Sequence, residues 1–90
     1  MEVIHDKEHS KFFLIMDGME SYVKYSMVDE KTVEFWTTYV PSKQRGKGLA
    51  AILTEAALNY ALQNNLSVIP SCSYVESYID KNEKFKGLIK

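Results

Sequence analysis

Tyr39-Val40-Pro41-Ser42-Lys43-Gln44-Arg45-Gly46-Lys47-Gly48-Leu49-Ala50 is the stretch on which the reading of this chain turns. Before it, residues 33–40 are rich in aromatic and β-branched side chains and alternate as a strand does. Pro41 stops that strand, because it has no N–H to give to a ladder. After it, residues 47–64 repeat their apolar positions with the 3.6-residue period of a helix. The segment is therefore a strand-to-helix turn carrying Gly46, Gly48 and the cations Lys43, Arg45 and Lys47. The first N–H groups of a helix lack partners and lie at its positive end, so such a turn is a ready anion site.

Working towards the N-terminus, Lys11 to Met16 is a short apolar strand closed by Asp17-Gly18, a turn signal. Met19 to Val28 alternates loosely, Tyr22, Lys24 and Ser26 against Val23, Tyr25 and Met27, and Asp29-Glu30-Lys31 is a polar turn. These strands are close enough in sequence to form an antiparallel meander, with Glu2 to Asp6 as an edge strand. Strict alternation places Thr37 and Tyr39 on the face of Val33 and Phe35, and puts Trp36 on the face away from the main helix.

Working towards the C-terminus, Leu49, Leu53, Ala56, Ala57 and Tyr60 share one helix face, and Ala50, Ile52, Ala61 and Leu62 widen it, so the helix is expected to be largely buried. Asn64-Asn65 suits a left-handed helix end. Leu66-Ser67-Val68-Ile69 is a short strand stopped by Pro70, and Ser71 or Ser73 is the expected cap of a second helix from about Tyr74 to Lys81. The tail around Phe85 to Ile89 is mildly apolar and can dock on the core. The layout is α+β: a mostly antiparallel sheet of four to five strands, one main helix after the glycine turn and a short C-terminal helix.

Composition narrows the function classes. Ninety residues make one domain, 1–90, with ordinary hydrophobic (46%) and charged (26%) content. A net charge of −1 gives no global pull towards nucleic acid or anionic lipid. No apolar run reaches the roughly 20 residues that span a bilayer, and the N-terminus lacks the pattern of a signal peptide. The single cysteine, Cys72, cannot form an internal disulfide, which fits a reducing cytoplasm. Nothing demands pairing with a second copy, so a monomer is expected.

Three phosphate-binding patterns compete for Gly46-Lys47-Gly48. A P-loop fails, since Leu49 stands where it needs Ser or Thr after its Gly-Lys pair. Gly46, Gly48 and Ala51 do spell the Gly-x-Gly-x-x-Ala of a dinucleotide turn, but residues 66–73 hold no acidic residue for a ribose and the flanking strands read as hairpins. The third pattern, Arg45-x-x-Gly48-x-Ala50, is the spacing of an acyl-coenzyme A pyrophosphate loop. Taken alone, this loop is balanced by an ordinary glycine-rich helix entry with solvated cations.

A second segment decides between them. Thr37-Thr38-Tyr39-Val40-Pro41, Arg45-Gly46-Lys47-Gly48-Leu49-Ala50 and Pro70-Ser71-Cys72-Ser73-Tyr74, together with the tail Asn82 to Ile89, resemble a branch of very small acetyltransferases of the GNAT superfamily over essentially the whole chain. The resemblance implies an enzyme that moves acetyl from acetyl-CoA to an amine, the acceptor being a protein, a polyamine or a small molecule. It implies CoA contacts from Thr38, Tyr39, Val40, Lys43, Gln44, Arg45, Gly46, Lys47, Gly48, Leu49 and Ala50. It offers Cys72 as an acyl-accepting or catalytic thiol, and no metal. Cys72 precedes the second helix, and the positive end of a helix favours a thiolate; a free cysteine is also often simple packing. Tyr74 and Tyr78, one helical turn apart, each offer a proton to departing CoA thiolate, or pack with a polar tip. Two departures stand out. The family's histidine is Thr37 here, which cannot act as a base near neutral pH, and Glu83 stands where proline is frequent. The first keeps a non-catalytic CoA-binding module in view. His5, Asp6, Glu8 and His9 look like ligands but read as a solvated strand end.

Overall fold

The computed structural model describes residues 2–89. The elements run β1 (Ile4–Asp6), β2 (Lys11–Met16), β3 (Met19–Asp29), β4 (Thr32–Tyr39), a 3₁₀ turn (Ser42–Gln44), α1 (Leu49–Gln63), β5 (Ser67–Pro70), α2 (Ser73–Asp80) and a 3₁₀ tail (Glu83–Leu88). One sheet of five strands holds the order β1-β2-β3-β4-β5. The first four are antiparallel neighbours, and β5 returns through α1 to lie parallel to β4.

Local chemistry sets the joints. Asp17 and Gly18 both take positive φ, 53° and 76°, between paired Met16 and Met19. Left-handed backbone at both turn residues matches the twist of a two-residue hairpin. At the end of α1, Asn65 has φ 55°, the Leu66 N–H reaches Ala61 O at 2.9 Å and the Asn65 N–H reaches Leu62 O at 3.2 Å. Those two bonds satisfy the last helical carbonyls and turn the chain into β5. α2 begins one residue earlier than expected, and its cap is Cys72 rather than Ser71 or Ser73, with no side-chain cap bond. The Ser71 hydroxyl donates to the Glu34 carboxylate instead, tying β4 to the strap after β5.

The core lies between one sheet face and α1. Phe12, Leu14, Val23, Val33, Phe35 and Val68 meet Leu49, Leu53, Ala57, Leu58 and Ala61, and Val75, Ile79, Phe85 and Leu88 close the end. Ile52 and Leu62, expected to widen the buried stripe, are each 39% exposed. With one sheet beneath it, α1 buries one side only, and Ala56 and Tyr60 are half-buried at its flanks.

One irregularity matters for the site. Lys24 and Tyr25 are consecutive on β3, but they pair with Thr37 and Phe35 on β4, leaving Trp36 as an extra residue. Such a bulge reverses the side-chain phase beyond it. The alternation expected from sequence therefore fails at Thr37. Thr38 pairs with fully buried Val23 and faces the core, whereas Thr37 pairs with Lys24, and Tyr39 with Tyr22, on the open face. Trp36 stands 48% exposed, on the face away from α1 as expected.

The N-terminal strand is held by a histidine. The His5 ring stacks on Phe12 at 4.1 Å, meets the Tyr60 ring edge at 4.5 Å and shares a 2.6 Å hydrogen bond with Tyr25 Oη. Burial, and next the nearby Lys7 charge, hold its pKa below the usual histidine range, against a smaller opposing pull from Asp6. An unfolded chain therefore binds this proton first as pH falls through about 6.5. The stability from neutral His5 is whole above that pH and is lost below it, towards the folded-state value. Urea midpoints measured at pH 7.5 and 5.5 should fall in the native protein and fall less in His5→Gln; equal drops in both would remove His5 as the cause.

Candidate functional site

After Phe35 and Pro70 the parallel strands part. β4 and β5 pair from Thr32↔Ser67 to Phe35↔Pro70, and the last tie is the Cys72 N–H to Phe35 O at 3.0 Å. The Trp36 bulge turns β4 away on one side, and Pro70, without an N–H, ends the ladder on the other. Thr37 to Tyr39 pair only with β3, so among the described residues no strand covers their other edge.

That open edge leads to the glycine turn. Gly46 and Gly48 have φ of 82° and 79°, values that an L side chain adopts only with strain. A Cβ at either would meet no atom within 4 Å, so the space above both is free for a ligand. Gly48 is the N-terminal boundary of α1, and no side chain caps that end. The helix's own first bond is Ile52 N–H to Gly48 O, 3.1 Å, leaving the N–H groups of Gly48, Leu49, Ala50 and Ala51 unused within the helix.

A cleft of about 270 Å³ opens here, lined by Val40, Gln44, Arg45, Gly46, Gly48, Leu49, Ala50, Ala51 and Tyr74. Eight of the residues singled out from sequence meet in it, joined by Ala51, which lies one residue past the Arg45-x-x-Gly48-x-Ala50 pattern and was not among the expected CoA contacts. Thr38, Tyr39, Lys43, Lys47 and Cys72 lie outside its lining. Gln44 is not a free ligand. It is 2% exposed; its amide donates to Asp17 Oδ2 at 3.3 Å, and its carbonyl accepts from Lys47 Nζ at 3.0 Å. It braces the turn against the β2–β3 hairpin. Arg45 uses Nε on Val40 O at 3.1 Å, which leaves its terminal nitrogens for an anion and removes Val40 O as a free acceptor.

Cys72 sits at the bottom of the splay. Its Sγ lies 3.3 Å from Thr38 Oγ1, a contact across 34 residues of chain that the unbulged reading of β4 could not give. The thiol is partly buried against the core. Tyr74 faces the cleft at 39% exposure, and burial raises its pKa above the ordinary phenol value. Tyr78 is separated from that role: its hydroxyl donates to Glu55 Oε1 at 2.5 Å, and burial together with that bond pushes its pKa up to about 12. The same carboxylate accepts from Lys84 Nζ at 2.7 Å, and these bonds, Lys84 first, draw the Glu55 pKa down. Near the N-terminus, Asp6, Glu8 and His9 do converge. Asp6 accepts the His9 backbone N–H at 3.1 Å and meets its ring Nδ1 at 2.8 Å, so it braces the turn after β1.

Comparison with known proteins adds an independent line. The family model described as GCN5-related N-acetyl-transferase matches residues 11–88. Protein NATD1 of Xenopus tropicalis is 30% identical over 84 residues, covering 91% of this chain and 77% of that one. Protein NATD1 of Homo sapiens is 29% identical, covering 91% and 74%. The solution structure of a GCN5-like protein from Staphylococcus aureus superposes with a TM-score of 0.77, covering 99% of this chain and 87% of that one at 24% identity.

Proposed function

The chain belongs to the GCN5-related N-acetyltransferase family, and on that premise we propose that it acts as one domain, residues 1–90, which transfers acetyl from acetyl-CoA to an amine. The observation that carries this is the continuity of three features: the uncapped, glycine-lined start of α1, the cleft beside it, and the uncovered edge of β4 leading to Cys72. Acetyl-CoA would supply an activated acyl carbon on a sulfur leaving group.

In this reading the N–H groups of Gly46 to Ala50 hold the pyrophosphate, as helix starts hold phosphates generally. Arg45 turns its free terminal nitrogens to the same charge, and Lys43 and Lys47 raise the local potential. The free backbone edge around Thr38 and Tyr39 aligns the pantetheine arm by strand-like hydrogen bonds, with Val40 and Leu49 giving it apolar contact. Thr38 and Cys72, in contact with each other, stand at the acyl end of the thioester. The acceptor nitrogen bonds to the acyl carbon as the carbon–sulfur bond breaks. Tyr74 gives its proton to the departing sulfur and regains one from water, while the surplus amine proton leaves to solvent. A phenol whose pKa is raised stays protonated near neutral pH, which suits a donor and not a base. A covalent route through Cys72 would add a transfer of acetyl to its Sγ before the amine arrives. If a Cys72→Ala variant still acetylated an amine, that route would be excluded and direct attack retained.

A second reading, a module that holds CoA without turnover, is favoured by Thr37. It stands where the resembling enzymes carry histidine, and the bulge points it at the open face beside Lys24. Calorimetric titration with CoA and acetyl-CoA, with NAD and ATP as controls, tests what both readings share. Selective micromolar binding of the two CoA species is expected. A folded protein that binds neither would sink both.

A further inference from the structure

We propose that the Thr38–Cys72 contact is an acyl-length sieve: the site admits an acetyl-sized group and excludes longer acyl chains. The inference rests on the CoA reading above and concerns what lies at the far end of the same path. A thioester guided along the free edge of β4 arrives where β4 and β5 converge. There Thr38 Oγ1 and Cys72 Sγ, 3.3 Å apart, join β4 to the segment that leads from β5 into α2. The residues next to the contact are closed to solvent: Phe35 and Val75 are 0% exposed, and the Cys72 N–H to Phe35 O bond of 3.0 Å pins the start of α2 to β4. The cleft stops short of this point, since neither Thr38 nor Cys72 lines it.

Packed interiors take up an added methylene only by distortion. An acyl chain can be accommodated in front of the contact up to the point where it would have to part Thr38 from Cys72. Both side chains are small, so what excludes the chain is their contact rather than their bulk. Removing either opens a gap between β4 and the segment after β5, where the two strands have already parted. That separates this device from one that relies on a large blocking residue.

The test is calorimetric affinity for CoA, acetyl-, propionyl-, butyryl- and hexanoyl-CoA in the native chain, Thr38→Ala, and Thr38→Ala/Cys72→Ala, with circular dichroism and a melting curve establishing that each is folded. A hydrophobic site discriminates about 10- to 200-fold per methylene, so butyryl-CoA should bind the native chain at least ~10-fold more weakly than acetyl-CoA. The ratio of acetyl to butyryl affinity, taken within each protein, should shrink in Thr38→Ala and approach one in the double variant. A flat series in the native chain, with CoA itself bound, would overturn the sieve and leave the CoA reading intact. So would a steep series that the folded variants do not relax. Failure of CoA and every thioester to bind the folded native chain would overturn the CoA reading and the sieve with it.

Discussion

Glutamate at position 48 is expected to weaken CoA binding by at least ~100-fold while leaving the protein folded. Two effects of different size meet at this residue. The first is backbone strain. Gly48 holds φ 79°, ψ 15° at the start of α1, and an L residue there costs about 1–2 kcal/mol. A carboxylate at the positive end of a helix recovers about 0.3–1 kcal/mol of that, so the net stability loss is small. The second is charge. The new side chain meets no protein atom within 4 Å of its Cβ, so it occupies the very space proposed for the pyrophosphate. A like charge about 4 Å away costs about 4 kcal/mol at an effective dielectric of 20, near a thousandfold in affinity before screening. Gly48→Ala carries the strain without the charge and should lose far less. Calorimetry on both variants separates the terms. Equal, modest losses would mean that the turn sets geometry alone, and unchanged binding in Gly48→Glu would return it to an ordinary helix entry.

That expectation could be framed from sequence because the turn is written in residues with narrow backbone preferences. Proline ends a strand, glycine takes positive φ, and the period changes on either side. The same logic gave the Asp17-Gly18 hairpin and the left-handed Asn65, both of which the structure bears out. The features that escaped have no such signature. A bulge is the addition of one residue to a ladder, and Trp36 is as good a strand residue as its neighbours, so alternation carried on past it and turned Thr37 inward. The pairing with β3 reverses that, and only then does Thr38 reach Cys72. Gln44 falls within the loop that the family resemblance assigns to CoA; its amide is satisfied by Asp17, a residue of the β2–β3 hairpin that no local pattern could supply. Capping of α2 failed for a similar reason. Ser71 had the right chemistry, but Glu34 on β4 claims its hydroxyl. Local preference gave the elements and the loop, while contacts between distant segments decided which side chains face the cleft.

The two ends of the site accordingly depend on different parts of the chain. The anion end is local, built within residues 40–51. The thioester end is assembled from β4, the strap after β5 and α2, and α2 is only eight residues long. A helix that short is marginal by itself and is held by what packs on it.

The tail supplies that packing, and Phe85→Ala is expected to cost about 3–5 kcal/mol, the range for deleting a buried phenylalanine. Phe85 is 0% exposed, its ring lies 6.2 Å from that of Tyr78 on α2, and it packs in the same core as Val75 and Ile79. A chain of this length has a total stability of roughly 5–13 kcal/mol, so the loss is a large fraction of the whole. The nearby Lys84–Glu55 ion pair is the contrasting case. It is short, 2.7 Å, but its side chains are 55% and 36% exposed, and pairs so open to water contribute less than ~1 kcal/mol. Lys84→Ala should therefore shift the urea midpoint slightly and Phe85→Ala strongly. Were the two shifts alike and small, the tail would be resting on the surface and α2 would owe its position to α1, β4 and β5. A large Phe85 effect, accompanied by loss of acetyl-CoA affinity beyond that of CoA itself, would place the C-terminal segment under the thioester end of the site, where an apolar ring that touches no ligand fixes the helix bearing Tyr74.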